Sequence, residues 1–236
     1  MSTLSQLQSD LRSFIIPEKA AFFPRFFKTG KGQYGYGDKF LGITVPNMRT
    51  VAIKYKNLEL SDVINLLHSE WHEERLVALI ILTEQFKRAN PAAQKEIYDL
   101  YLSNTKYINN WDLVDLSAAN IVGEYLINKS KSILYKLAKS DLLWDKRIAI
   151  ISTFAFIKRG DPSETFKIAE ILLHDNHDLI HKAVGWMLRE IGKRCGEESL
   201  ESFLNKHYKV MPRTMLRYAI ERMSDKKKKF YMTKNK

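Results

Sequence analysis

The sequence predicts an all-α protein made of stacked helix pairs, and three observations carry that reading. Glycine and proline are sparse, ten and six among 236 residues. Pro46, Pro91, Pro162 and Pro212 each precede an apolar pattern of helical spacing, where a missing N–H and a fixed φ cost a helix nothing. No stretch alternates apolar and polar residues with the two-residue period of a half-buried strand. A unit also recurs: Arg75 opens RLVALI, Trp111 opens WDLVDL, Arg147 opens RIAIIS and Ala183 opens AVGWML, each 36 residues after the last. Two helices in about 35–47 residues is the unit of HEAT-like arrays, whose pairs stack because no single pair buries its own apolar face. The expected fold is therefore HEAT-like helical repeats in a curved solenoid with a basic concave groove. A non-repetitive helical bundle is the alternative, because identity between the units is low.

Taken in order, the spacing predicts helices at 3–14, 17–27, 46–57, 61–68, 71–88, 91–103 and 110–127, then at 130–138, 141–159, 163–173, 178–194, 197–207 and 212–223. Ser61, Ser130 and Asp178 have the side chains of N-caps, and Gly160 and Gly196 stand where helices stop. The expected organisation is one domain over 1–225 followed by a basic tail, 226–236, that opens with four lysines, Lys226 to Lys229.

A chain of this length buries a full core, and 45% hydrophobic with 28% charged residues excludes a disordered or fibrous bulk. The longest apolar run, Leu76 to Leu82, is far short of the roughly 18 residues of a membrane-spanning helix. The N-terminal MSTLSQLQSDLRSF has neither the basic start nor the apolar stretch of a secretory signal, so the expected location is cytoplasmic. A single cysteine, Cys195, excludes an internal disulfide and a cysteine-rich metal site. Lysine plus arginine exceeds aspartate plus glutamate by eleven, 38 against 27. That balance points to a polyanionic partner, nucleic acid before an anionic membrane surface.

Several motifs lose their usual meaning in context. Gly30, Gly32 and Gly35 spell GxGxxG and Val51 to Lys54 spell VAIK, but no strand precedes the glycines and VAIK lies in a helix opened by Pro46, so a phosphate loop is not indicated. The glycines read as a mobile loop between helices. His174, His177 and His181 in HDNHDLIH have metal-like spacing, but Asp175 and Asn176 make a turn that scatters them. HSEWH, with His68 and His72, is not HExxH, because the glutamate is misplaced.

The informative cluster recurs at one repeat phase. Trp111 and Asp115 are four residues apart, one turn apart on one helix face. Arg147 holds Trp111's place in the next repeat, and Trp186 lies within a residue of the place Asp115 holds two repeats earlier. Lys182 and Arg189 flank Trp186 at i−4 and i+3 and add positive charge. Each has a structural alternative: the tryptophans as core, Asp115 as an ion-pair partner of Arg147, and Asp112 as a solvated first-turn acid.

FFKTGKGQYGYGDKFLGITVP (Phe26 to Pro46), NNWDLVD (Asn109 to Asp115), LLWDKRIAIIS (Leu142 to Ser152) and KAVGWMLREIGKR (Lys182 to Arg194) resemble the AlkD-like alkylpurine DNA glycosylases, a family built of HEAT-like repeats. The resemblance spans roughly residues 15–225. It implies a catalytic Asp115, with Trp111, Trp186 and Arg147 completing the lesion-facing cleft, and no metal or other cofactor. It further implies that the substrate is double-stranded DNA containing alkylated bases, from which N3- and N7-alkylpurines are excised. The chain departs from its relatives at Phe26-Phe27, where some have tyrosine-methionine, and at the glycine-rich insertion that follows. Lys182, Arg189, Arg49 and Thr44 are the expected DNA-backbone contacts, the protein is expected to be a monomer, and no membrane is involved. The rival expectation is a non-catalytic HEAT-repeat protein that binds DNA structures or a protein partner; a pure phosphate binder gains nothing from a carboxylate at Asp115.

Overall fold

The computed structural model describes residues 3–233. Among them no strand forms; the only β pairing is an isolated parallel bridge between Lys39 and Trp71. The all-α expectation holds. By contacts along the chain the protein divides into two compact units, Met1–Ser117 and Ala118–Lys236.

The first unit begins with α1 (Thr3–Arg12), α2 (Pro17–Phe26), α3 (Val45–Lys54) and α4 (Leu60–Leu67). It continues with α5 (His72–Arg88), α6 (Pro91–Ser103), a short 3-10 turn at Thr105–Tyr107, and α7 (Trp111–Ala118). Helix α5 is its core: every residue from His72 to Thr83 is buried, and α3, α4 and α6 pack on it. The apolar run LVALIIL is thus a helix enclosed by neighbours. Prolines sit in the first turn of α2, α3 and α6. Glu59 precedes α4, so Ser61 lies inside that helix and is not its cap.

Residues 28–44 carry no helix. They form a chain of turns in which the N–H of Gly35 donates to the Lys28 carbonyl (3.1 Å) and that of Asp38 to the Gly35 carbonyl (3.1 Å). The glycine-rich segment expected as a mobile loop is therefore tied by hydrogen bonds at both ends. Its continuation is pinned to α5 by Glu73, which is 1% exposed and accepts the N–H groups of Leu41 (2.9 Å), Gly42 (2.8 Å) and Ile43 (3.2 Å). Gly42 has φ +82°, and a Cβ there would sit 2.3 Å from the Ile16 carbonyl oxygen, so only glycine lets this segment lie against the start of α2. Replacing Glu73 by Ala orphans three buried N–H groups at about 1–3 kcal/mol each. Urea denaturation is expected to show a loss of at least about 3 kcal/mol, and a loss below about 1 kcal/mol would mean that another acceptor takes over.

The second unit opens with a π-helical turn, Ala119–Gly123, followed by α8 (Ser132–Ala138), α9 (Leu143–Ser152), α10 (Phe154–Ile157) and α11 (Ser163–Ile171). The long α12 (Asp178–Arg194), α13 (Glu197–His207), α14 (Arg213–Ala219) and α15 (Asp225–Met232) complete it. Helix α12 is the hub, with α9, α11, α13 and α14 against it. Where one helix was expected over 110–127, an α segment passes into the π turn; where one was expected over 141–159, Thr153 divides it. The π turn packs so closely that a Cβ on Gly123 would meet the Ser152 carbonyl oxygen at 2.2 Å. His177, not Asp178, caps α12, its imidazole accepting from the Leu179 N–H at 3.1 Å. Ser130 lies one residue before the cap of α8, Lys131, and takes the Ser132 N–H at 3.3 Å.

The segment 226–236, read as a basic tail, contains most of α15; residues 234–236 lie outside the described residues. Lys227 pairs with Glu201 of α13 at 2.7 Å, and buried Tyr231 donates to Asn205 at 3.0 Å. No helix among the described residues is long and apolar enough to cross a membrane.

Candidate functional site

The repeat phase read from the sequence falls in the first half of four helices. Arg75 is in the first turn of α5, Trp111 is the first residue of α7, Arg147 is in the first half of α9 and Ala183 in the first half of α12. In α7 the Asn110 side chain accepts the Trp111 N–H at 2.9 Å, meeting one of the loose donors of the helix start. The half-buried Trp111 indole stacks on Phe27, with centroids 5.6 Å apart and planes 19° from parallel, and meets Phe26 edge-on at 6.1 Å. Such pairs add about 0.5–1.5 kcal/mol beyond area burial. Asp115, also half-buried, follows one turn later on the same helix. The first unit thus presents an acid next to an indole whose plane is fixed.

Under this turn lies a buried charged cluster. His72, 2% exposed, contacts Asp38 through Nδ1 at 3.2 Å and Asp112 through Nε2 at 2.8 Å. Both acceptors are carboxylates, so both ring nitrogens must donate, and the ring is an imidazolium. Burial pulls its pKa down, but the Asp112 charge and the hydrogen bonds to Asp112 and Asp38 outweigh that and raise it to about 9. Asp38 also takes Arg75 at 2.7 Å and the side-chain amides of Asn110 (3.2 Å) and Asn109 (3.3 Å). Burial pushes the Asp38 carboxyl up, yet the His72 hydrogen bond and the Arg75 charge leave it below the usual aspartate value. Two cations and two anions balance, which is what makes burying four charges tolerable.

Sequence reasoning missed this cluster. Asp112, read as a solvated first-turn acid, has a side chain only 17% exposed that ends on His72, and His72 carried no signal beyond a failed metal motif. In that motif's neighbourhood His68 instead bonds Asn104 at 2.6 Å.

In the second unit Arg147 is 5% exposed, with Nη1 donating to the Leu179 carbonyl at 2.6 Å. A guanidinium so placed ties α9 to the start of α12. Trp186 is half-buried with its ring 6.3 Å from Phe154. Gly185 before it packs so closely on α14 that a Cβ would lie 2.5 Å from the Met215 carbonyl oxygen, which fixes the backbone that carries Trp186. Lys182 pairs with Asp178 at 2.6 Å, and Arg189 pairs with Glu221. These are exposed or half-exposed pairs of the kind that contributes about 0–1 kcal/mol, so they hold the two cations only weakly.

The remaining expected contacts lie on α3 in the first unit: Thr44 is its half-buried N-cap residue and Arg49 is exposed. VAIK is the C-terminal turn of that helix. His177 and His181 are engaged with backbone, His181 Nε2 lying 2.5 Å from the Asp175 carbonyl.

A sequence model of the family described as DNA alkylation repair enzyme matches residues 7–223. No curated protein sequence matches the chain. Among solved structures, one described as a predicted DNA alkylation repair enzyme from Enterococcus faecalis superimposes with a TM-score of 0.69 over 89% of this chain and 96% of its own, at 15% identity. At that identity the likeness speaks for the fold. The match to the family model covers nearly the whole length and includes α7 and α12, so the chain belongs to the DNA alkylation repair enzyme family.

Proposed function

We propose that this protein is a monofunctional DNA glycosylase that hydrolyses the N-glycosidic bond of cationic N3- and N7-alkylated purines in duplex DNA. The observation that carries the reading is the first turn and a half of α7: Asp115 stands one turn from an indole stacked on Phe27, at the position where the alkylpurine glycosylase motif has its catalytic aspartate.

Alkylation at N3 or N7 leaves the purine positively charged, so it departs as a neutral base and leaves an oxocarbenium-like sugar. Such a reaction needs negative charge beside the sugar more than it needs an acid. In this reading Asp115 supplies that charge and orients or deprotonates the attacking water. Trp111 offers its π face to the cationic sugar or base, a contact of about 0.5–2 kcal/mol depending on desolvation, and Trp186 has the same role. Lys182, Arg189, Arg49 and Thr44 are assigned to the DNA backbone, where contacts position without reading sequence, whereas Arg147, 5% exposed and bonded to the Leu179 carbonyl, holds α9 to the start of α12. No step calls for a metal or redox cofactor, and duplex DNA is the only partner the chemistry needs.

The direct test is to incubate the protein with methylated duplex DNA and look for free methylpurine and abasic sites. Their appearance together, at equal yield, is the expected result. Tight binding with neither product would move the protein to the non-catalytic class.

A further inference from the structure

The His72 cluster is larger than capping a helix requires, and it joins three segments that are distant in sequence. Asp38 closes the glycine-rich segment, His72 and Arg75 open α5, and Asn109, Asn110 and Asp112 surround the start of α7. Trp111 is held by it in three ways. Its N–H is taken by Asn110, whose amide is tied to Asp38. The next residue, Asp112, is tied to His72. Its ring lies on Phe27, and Phe27 in turn lies 4.9 Å from the His72 ring. Every route ends on His72 or Asp38.

We propose that His72 and Asp38 are positioning residues for the proposed glycosylase site, fixing the first turn of α7 so that the Trp111 indole and, one turn later, the Asp115 carboxylate are held for the reaction. The glycine-rich segment acquires a role by this assignment: it delivers Asp38, the acceptor shared by His72, Arg75, Asn109 and Asn110. The inference rests on the function proposed above for its catalytic part and on geometry alone for its hold on Trp111. The charged groups that face the imidazolium are Asp38 from the loop, Asp112 from α7 and Arg75 from its own helix; Phe27 and Phe40 enclose the ring. A His whose pKa rises to about 9 contributes stability that is complete below its ordinary value and is lost as pH climbs through about 9.

The test uses the full chain labelled with ¹⁵N at the tryptophan indoles, with the Trp111 signal assigned from Trp111→Phe. In His72→Gln and Asp38→Asn the Trp111 signal is expected to move while those of Trp144 and Trp186 stay. Single-turnover release of 7-methylguanine is expected to fall by about 10–100-fold, the scale of misplacing a reacting group by about 1 Å, while affinity for undamaged duplex stays within about twofold. If neither variant folds, the wild-type protein answers: its Trp111 signal should titrate with a midpoint near pH 9. Lower melting temperatures with an unmoved Trp111 signal and an unchanged release rate would make the cluster purely structural and overturn the proposal, as would a Trp111 signal in the wild type that does not respond to that titration. Should the wild type release no base at all, the function proposed above fails, and the hold on Trp111 is still decided by the indole signals.

Discussion

Asp115→Asn is expected to leave folding and DNA binding in place while base release from methylated duplex falls by at least about 100-fold, the cost of removing one preorganised electrostatic stabiliser, about 2.7–4 kcal/mol. The substitution keeps the shape of the side chain and its place one turn after Trp111, and removes only the charge. A phosphate-binding surface would bind DNA equally well or better without that charge, so the variant separates catalysis from affinity. Affinity is measured on undamaged duplex and release in single turnover, with far-UV circular dichroism confirming the helices. Near-normal release from the correctly folded variant would remove Asp115 from the mechanism and return it to a structural role.

The second large effect concerns the charge of the leaving base. A neutral base such as uracil leaves as an anion unless an acid or hydrogen-bond donor stabilises it, and enzymes that release such bases hold them in dedicated pockets. The residues assigned to the chemistry here are a carboxylate and two indoles, which suit a cationic sugar and a leaving group that is already activated. His72 is an imidazolium beneath Trp111, but both of its N–H groups are spent on Asp38 and Asp112 and it is 2% exposed, so it does not protonate a departing base. The protein is therefore expected to release 3-methyladenine and 7-methylguanine from duplex DNA and to leave uracil and hypoxanthine in place. A side-by-side assay on matched duplexes carrying each base checks this. Efficient uracil release would require an acid outside this set, and the mechanism built on Asp115 would have to be abandoned.

Most of the helices were legible because their signals are local. Apolar periodicities, prolines at helix starts and the 36-residue recurrence of RLVALI, WDLVDL, RIAIIS and AVGWML each need only the order of residues along the chain, and α6, α12 and α13 end where they were expected to end. Helix α15 escaped because DKKKKFYM has no apolar stripe; it forms where Tyr231 is buried and where Glu201 offsets the charge of Lys227. The breaks at Thr153 and at the π turn of Ala119–Gly123 escaped for the complementary reason, since both segments have continuous helical patterns and the interruption comes with the close approach of Gly123 to Ser152.

The candidate site divides along the same line. Residue types and spacing were enough to single out Trp111 and Asp115 as face-mates on one helix, and to place Arg147 and Trp186 at matching repeat phases. The charge balance pointed to a polyanionic partner, and the family resemblance carried by the NWDLVD motif implied that it is DNA. Tertiary structure alone showed that Arg147 is buried and bonded to the Leu179 carbonyl, that Phe27 lies flat against Trp111, and that Asp38, His72, Arg75 and Asp112 form one buried cluster. The physical reason is that helical periodicity records which side of a helix is apolar, whereas a buried ion pair is a contact between residues 34 to 40 positions apart whose partners look like ordinary surface charges until the chain folds them out of water.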